Sequence, residues 1–359
     1  VAARGEAGRF PLPPPADLER LLAGRALVEL VAVDGRLVAV VVVDGIHRLV
    51  ELGPAEGVGR DVVRARFALG QLARGRVGAA SREAARRSLL QTTESLDRFL
   101  FGPLEGLVGG RELVIVPTGE LHALPWSALP SLWSRAFTVA PSAALWAARQ
   151  SLARRPRVAA LAPARRTVLV AGPRLEAGDE EVARLSRLYS SATTLRGPFA
   201  TSAPVLRALE GAAVAHLAVH GTFRGDNPLF SSLELVDGPV MVYDLEELSP
   251  PPELIVLSAC DAGRASTSPG DELVGTGAAL LAGGARAVVA SLSPMPDRGA
   301  ARFALSFHGA LLEGEAPAEA LARARRETAP SVASVVSSIE GDDRRDLLAA
   351  VGFVCFGAG

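Results

Sequence analysis

Two stretches, Ala213-Val-Ala-His-Leu-Ala-Val-His220-Gly221 and Glu253-Leu-Ile-Val-Leu-Ser-Ala-Cys260-Asp261, decide how this chain is read. Each is a short, unbroken apolar run that stops at a reactive side chain. Runs of the same kind occur at Leu113-Val-Ile-Val116, Val168-Leu-Val-Ala171 and Ala287-Val-Val-Ala-Ser-Leu292. Amphipathic segments at 179–189, 203–210, 272–281 and 300–312 separate or follow them. Strands apolar on both faces that alternate with helices predict an α/β fold, a mainly parallel sheet covered by helices on both faces. In such sheets ligands gather at the carboxyl ends of the strands, which is where His220 and Cys260 fall.

Upstream the pattern differs. Ala26-Leu-Val-Glu-Leu-Val-Ala-Val33, Arg36-Leu-Val-Ala-Val-Val-Val-Val43 and Ile46-His-Arg-Leu-Val-Glu-Leu52 are joined by Asp34-Gly35 and Asp44-Gly45. Asp-Gly between β-rich runs is a hairpin signal, so a small N-terminal antiparallel meander is expected. Apolar residues at helical spacing over 58–101, broken near Gly75 and Gly78, predict two helices. Residues 1–18, with Pro11-Leu-Pro-Pro-Pro15, read as an extended Pro-rich linker. The expected organisation is therefore linker 1–18, an accessory meander with helices over 19–109, and a catalytic-type α/β domain over 110–359.

Composition narrows the function. The 359 residues are 49% hydrophobic and 21% charged, enough to bury a sizeable core. Thirty-eight basic residues, all arginine, balance 39 acidic ones, and no arginine-rich stretch interleaves aromatics, so nucleic acid is not expected as a partner. No apolar run approaches the ~20 residues of a membrane helix. No basic-then-apolar leader is visible, and the two cysteines make no disulfide framework. A cytoplasmic location is the expectation.

A cysteine thiol has an ordinary pKa near ~8.5 and needs a base beside it to act as a nucleophile. His220 precedes Cys260 by 40 residues, room for one excursion and a return strand that would set the two tips side by side. The amides of Gly221 and Cys260 are the candidate oxyanion donors. The opposing reading of Cys260 is a small buried hydrophobe, and by position alone the two stand even. Cys355, inside Val351-Gly-Phe-Val-Cys-Phe356, reads as core. A zinc site from His216, His220 and Cys260 fits poorly, because residues four apart on a strand sit about 13 Å from one another. His216 is expected to pack and hydrogen-bond beneath the site. His122, His47 and His308 are expected to be structural or solvated. No Gly-x-Ser-x-Gly elbow occurs, and Gly275-Thr-Gly277 follows an acidic segment, a poor phosphate cradle.

Several segments together resemble the CHAT domain family, caspase-like peptidase domains in the clan of caspases, metacaspases and separase. They are Leu113-Val-Ile-Val-Pro-Thr-Gly-Glu-Leu-His-Ala-Leu-Pro-Trp-Ser-Ala-Leu129, Ala140-Pro-Ser-Ala143, His216-Leu-Ala-Val-His-Gly221, Leu257-Ser-Ala-Cys260, Gly270-Asp-Glu-Leu-Val-Gly275 and Ala282-Gly-Gly-Ala-Arg-Ala-Val-Val-Ala-Ser-Leu292. The resemblance implies a caspase-like fold and a bacterial cysteine endopeptidase with a His220–Cys260 dyad and no metal or cofactor. A protein or peptide substrate follows, with a helical-repeat (TPR-like) sensor as a further partner. Ser258, Asp261 and Ser293 are the candidates to line the substrate cleft. Two departures stand out: Ser293 replaces the usual Trp of Ser-Leu-Trp, and Ser258 replaces the Asp that basic-specific metacaspases carry two places before the cysteine. The alternative class is a caspase-fold interaction module without catalysis.

Overall fold

The computed structural model describes residues 11–73, 78–152, 166–222, 224, 227–258, 271–292, 301–337 and 344–359. Helix α1 (Pro15–Leu22) leads into β1 (Ala26–Val33), β2 (Arg36–Val43) and β3 (Ile46–Pro54), followed by α2 (Val58–Ala73), α3 (Ala79–Phe101), α4 (Glu105–Val108), β4 (Leu113–Val116), β5 (Phe137–Val139) and α5 (Ala143–Leu152). The next part runs β6 (Thr167–Ala171), α6 (Glu176–Leu185), β7 (Thr193–Leu195), α7 (Ser202–Leu209), β8 (Val214–Ala218), β9 (Gly221–Thr222), β10 (Ser232–Leu235), β11 (Gly238–Met241), α8 (Val242–Glu246) and β12 (Leu254–Leu257). The last comprises α9 (Asp271–Ala282), β13 (Ala287–Ser291), α10 (Ala301–Leu312), α11 (Pro317–Thr328), α12 (Val332–Ser337), α13 (Arg344–Gly352) and β14 (Phe353–Gly357).

Eleven strands form one sheet in the order β3-β2-β1-β4-β5-β14-β13-β12-β8-β6-β7, and β9, β10 and β11 form a small second sheet. The main sheet is mostly parallel. Only β1–β2, β2–β3 and β13–β14 pair antiparallel. The expected meander is present with both Asp-Gly turns, and positive φ at Asp34, Gly35, Asp44 and Gly45 gives them the twist that hairpins favour. It is continuous with the rest, since β1 pairs in parallel with β4. The two helices expected over 58–101 are α2 and α3.

The extended reading of residues 15–18 is overturned. Helix α1 starts at Pro15, in the first turn, where a missing N–H costs nothing. Its Leu18, Leu21 and Leu22 then pack on Leu27, Val42 and Val114. The small β9–β11 sheet was not legible as such.

Alternation sorts each central strand between two cores. Val168 and Val170 of β6 and Ala215 and Leu217 of β8 join Val205 and Leu209 of α7 on one face. Leu169, Ala171 and Ala218 meet Val182 and Leu185 of α6 and Ala304 of α10 on the other. Helices α6 and α7 therefore cover opposite faces. The chain moves outward from β6 to β7 and then returns to β8 on the other side of β6, a switch point whose carboxyl edge is the natural place for a ligand.

One buried cation clamps the far end. Arg325 of α11 is fully buried and donates to the Trp133 carbonyl at 3.0 Å, the Arg135 carbonyl at 2.9 Å and Ser127 Oγ at 3.4 Å. Its guanidinium lies 5.0 Å from the centre of the Phe137 ring. Burial pushes it down to about 9, so it remains charged at neutral pH. Arg325→Ala should lower unfolding stability by about 3 kcal/mol, because carbonyls lose their donor and a void opens. Arg325→Met, which fills the space, should cost less, as urea denaturation of both variants will measure.

Candidate active site

Strands β6, β8 and β12 run parallel side by side, so their carboxyl ends open onto one edge. In the β8–β12 ladder Leu254 faces Val214 and Leu257 faces Leu217, a constant offset of 40 positions. The ladder continues one step further, with the Ser258 amide donating to the Leu217 carbonyl at 3.0 Å. Ser258 is half-buried there.

His220 lies two residues past β8, and backbone contacts on either side hold it. The Gly172 amide donates to the Ala218 carbonyl at 2.8 Å, and the Glu234 amide donates to the His220 carbonyl at 2.7 Å. Gly221 is buried and pairs with Leu233 in the small sheet. The ring Nε2 of His220 is 3.3 Å from the carbonyl oxygen of Arg174. A carbonyl only accepts, so Nε2 carries the hydrogen and Nδ1 is the basic nitrogen. Arg174 reaches this position with φ of 56°, in the left-handed region. Its exposed side chain pairs with Glu234, a contact of small energetic worth in solvent.

Gly172 permits this arrangement. A Cβ on it would lie 2.9 Å from the Glu234 carbonyl oxygen and 3.1 Å from Val219 Cα, inside the backbone that carries His220. The segment after β9 is in turn locked to α9. Ser231 is fully buried and accepts from the Arg224 amide at 2.9 Å and from Thr276 Oγ1 at 3.0 Å. A side chain on Gly275 would meet Pro228 at 2.7 Å. Ser231 and Pro228, after β9, are thus tied to helix α9.

Cys260, Asp261 and Ser293 lie outside the described residues. His216 is buried on β8, on the α6 and α10 face, with Nδ1 3.0 Å from His308 Nε2 and Nε2 3.0 Å from Glu181 Oε1. That places it beneath the site, as expected. His308 is fully buried within α10, while His47 is exposed. Among the described residues no group of three His, Cys, Asp or Glu is arranged to hold a metal ion, and no helix is long and apolar enough to cross a membrane. The sequence reading missed Gly172 and the Arg174 carbonyl. Neither leaves a signal in sequence, since one acts by lacking an atom and the other through its main chain.

The eleven-stranded, mostly parallel sheet covered by helices and extended by an antiparallel meander has the caspase-like fold of the separase structure it resembles. The CHAT domain profile matches residues 90–343, well over half of the chain, and the chain belongs to the CHAT domain family. Among solved structures it is similar to separase in two crystal structures of the Saccharomyces cerevisiae separase–securin complex. The TM-score is 0.67 and the identity 10% for both, over 99% of this chain and 30% of the separase-complex chain in one. The second covers 96% of this chain and 31% of that chain. The chain thus spans less than a third of those chains. A weaker match, to the complex of Porphyromonas gingivalis RgpB pro- and mature domains, has a TM-score of 0.47 at 11% identity, covering 85% of this chain and 77% of that one. No curated protein sequence matches significantly.

Cys355 sits on β14 with no exposed surface, and burial pushes its thiol up to about 12. It should resist alkylation at pH 8 in the folded protein and react only after denaturation, as mass spectrometry of its peptide will show. The sign of its pH effect follows. Between about pH 9 and pH 12 the unfolded chain gives up a proton that the folded chain keeps, so stability is full below that window and falls as pH rises through it. Tyr189, whose hydroxyl burial also pushes up, adds to the loss. Urea midpoints should decline above pH 9, less steeply in Cys355→Ala.

Proposed function

We propose that this chain is a caspase-like cysteine endopeptidase of the CHAT type, with Cys260 as nucleophile and His220 as base. The observation that carries the reading is the register. The last ladder pair is Leu217 with Leu257, and in sequence His220 and Cys260 each come three positions after it, beyond the ends of the neighbouring parallel strands β8 and β12. Two strands that end on the same edge, followed at equal distance in sequence by a histidine and a cysteine, support pairing the two as base and nucleophile. The orientation of His220 agrees, since a ring whose Nε2–H is committed to the Arg174 carbonyl offers Nδ1 to a thiol.

In this mechanism Nδ1 of His220 takes the proton of the Cys260 thiol, and the thiolate forms a bond to the scissile carbonyl carbon. The carbonyl oxygen becomes an oxyanion held by the Gly221 and Cys260 amides. Collapse of the tetrahedral intermediate breaks the C–N bond, and the leaving amine receives the proton from Nδ1. Water then attacks the thioester, His220 accepts its proton, and Cys260 leaves as a thiol. No step calls on a metal or cofactor. Ser258, one residue past β12, is proposed with Asp261 and Ser293 to line the substrate cleft. The substrate is a protein or peptide, and regulated proteolysis in bacterial signalling or defence, under a helical-repeat sensor, is the setting the family suggests. The separase chains in the similar structures are in complex with securin, which supports a protein partner for this chain too.

Cys260→Ala should lower cleavage of a proteome-derived peptide library by at least about 1,000-fold relative to the wild type. Cleavage that persists in that variant sinks the assignment. Gly172→Val, which forces apart the backbone around His220, should lower kcat by about 100-fold through misplacement alone, with near-wild-type circular dichroism.

A further inference from the structure

Beneath His220 lies a chain of buried polar side chains for which the peptidase mechanism has no use. Tyr189 Oη is 2.7 Å from His308 Nδ1, His308 Nε2 is 3.0 Å from His216 Nδ1, and His216 Nε2 is 3.0 Å from Glu181 Oε1. Glu181, His216 and His308 are each at most 2% exposed, and Tyr189 is 9% exposed. Burial keeps the tyrosine protonated and, with His216 beside it, holds His308 neutral. The donors then run one way: Tyr189 donates to His308, and His308 donates to His216. The remaining His216 N–H lies on the Glu181 side, close to the carboxylate yet without hydrogen-bond alignment, so the last contact is chiefly electrostatic. Among the other charged groups of α6, Glu180 and Arg184 pair with each other and Asp179 pairs with Arg196, all in solvent.

The placement of this chain gives it a task. Helix α6 and the turn before it run back from the strand tips along β8, and three contacts descend the strand in order. The Arg174 carbonyl meets the His220 ring at 3.3 Å, Gly178 lies against the Ala218 carbonyl, where a Cβ would sit 3.2 Å from the oxygen, and Glu181 meets His216. Three helical residues advance about 4.5 Å and two strand residues about 6.6 Å, so both lower contacts lie further down the strand in the same direction. Gly178 adds no side chain at this contact, and the packing of Val182 and Leu185 on Leu169, Ala171 and Ala218 is apolar and carries no hydrogen-bond direction. Glu181 is the one polar grip of α6 on that strand face among the described residues, and His308 holds the same histidine from α10.

We propose that Glu181, His216, His308 and Tyr189 are positioning residues for the catalytic base: they set the height of α6 on β8 so that the Arg174 carbonyl stays on His220 Nε2 and fixes its tautomer. This rests on the His220–Cys260 reading above. The test is nitrogen-15 NMR of the His220 ring in a Cys260→Ala background, where no turnover is needed. With Glu181 intact, neutral His220 should be almost wholly the Nε2–H tautomer. Glu181→Leu, which fills the space without the polar grip, should raise the Nδ1–H form to a substantial fraction, and Glu181→Gln should restore the parent pattern. In the Cys260 protein the same Leu variant should lose at least about 10-fold in kcat with KM held within about twofold, and Gln should recover it. Should Glu181→Leu not fold, Glu181→Asp, shorter by one methylene, is read in the same way. His220 resonances unchanged in a folded Leu or Asp variant would overturn the proposal. A shifted tautomer in a protein that cleaves nothing would support it and count against the peptidase reading instead.

Discussion

The parallel ladder of β6, β8 and β12 is the constraint from which the rest of this structure follows. Parallel strands in register deliver their carboxyl ends to one edge, and the chain spends its loops there. The ladder is fixed by parity. Ala215 and Leu217 face one core, while His216 and Ala218 face the other. A slip of one residue would exchange them, driving a hydrogen-bonded histidine into an aliphatic layer and leaving its partners buried and unpaired. With each fully buried Val or Leu worth about 1.5–3 kcal/mol, and polar partners on only one face, no neighbouring register competes.

On this frame the site is assembled largely from main chain. The His220 segment is held by amides of Gly172 and Glu234 and by a carbonyl of Arg174, and the small sheet pins Gly221. Backbone groups serve well because their positions are set by secondary structure and carry no rotamer freedom to lose. The cost falls on the residues that must stay small. Gly172, Gly178 and Gly275 each sit where an added carbon would meet another segment at 3.2 Å or less. Arg174 takes a left-handed φ, an unusual conformation for a non-glycine residue, at the point where its carbonyl turns toward the histidine.

Buried polar groups recur at the joints between layers. Arg325 joins α11 to the 127–137 segment through carbonyls and a hydroxyl, and the chain from Tyr189 to Glu181 joins α6, β8 and α10. Such groups add less stability than apolar replacements of the same shape would, because desolvation offsets much of their attraction. What they provide is a preferred geometry, since the Arg325, Tyr189–His308 and His308–His216 hydrogen bonds form in one arrangement of the helices.

Much of the fold is legible in the residues taken in order. Unbroken apolar runs of four to six residues mark β4, β6, β8, β12 and β13, and the paired Asp-Gly turns mark the meander, because these signals are local and each element satisfies its own backbone demands. The lead-in at Pro15 misled, since leucines at 18, 21 and 22 find an apolar sheet face to cover and the proline fits the first turn. His220 and Cys260 were legible as candidates from residue type and from where the runs end. By itself the sequence determined which segments become strands and which reactive groups cap them. Only the tertiary structure decided that β8 and β12 are neighbours with a 40-position offset, that the Arg174 carbonyl faces His220, and that Glu181, His216, His308 and Tyr189 meet. Strand order, main-chain acceptors and contacts between residues up to 119 positions apart depend on how separate elements pack, and no local pattern of side chains encodes them.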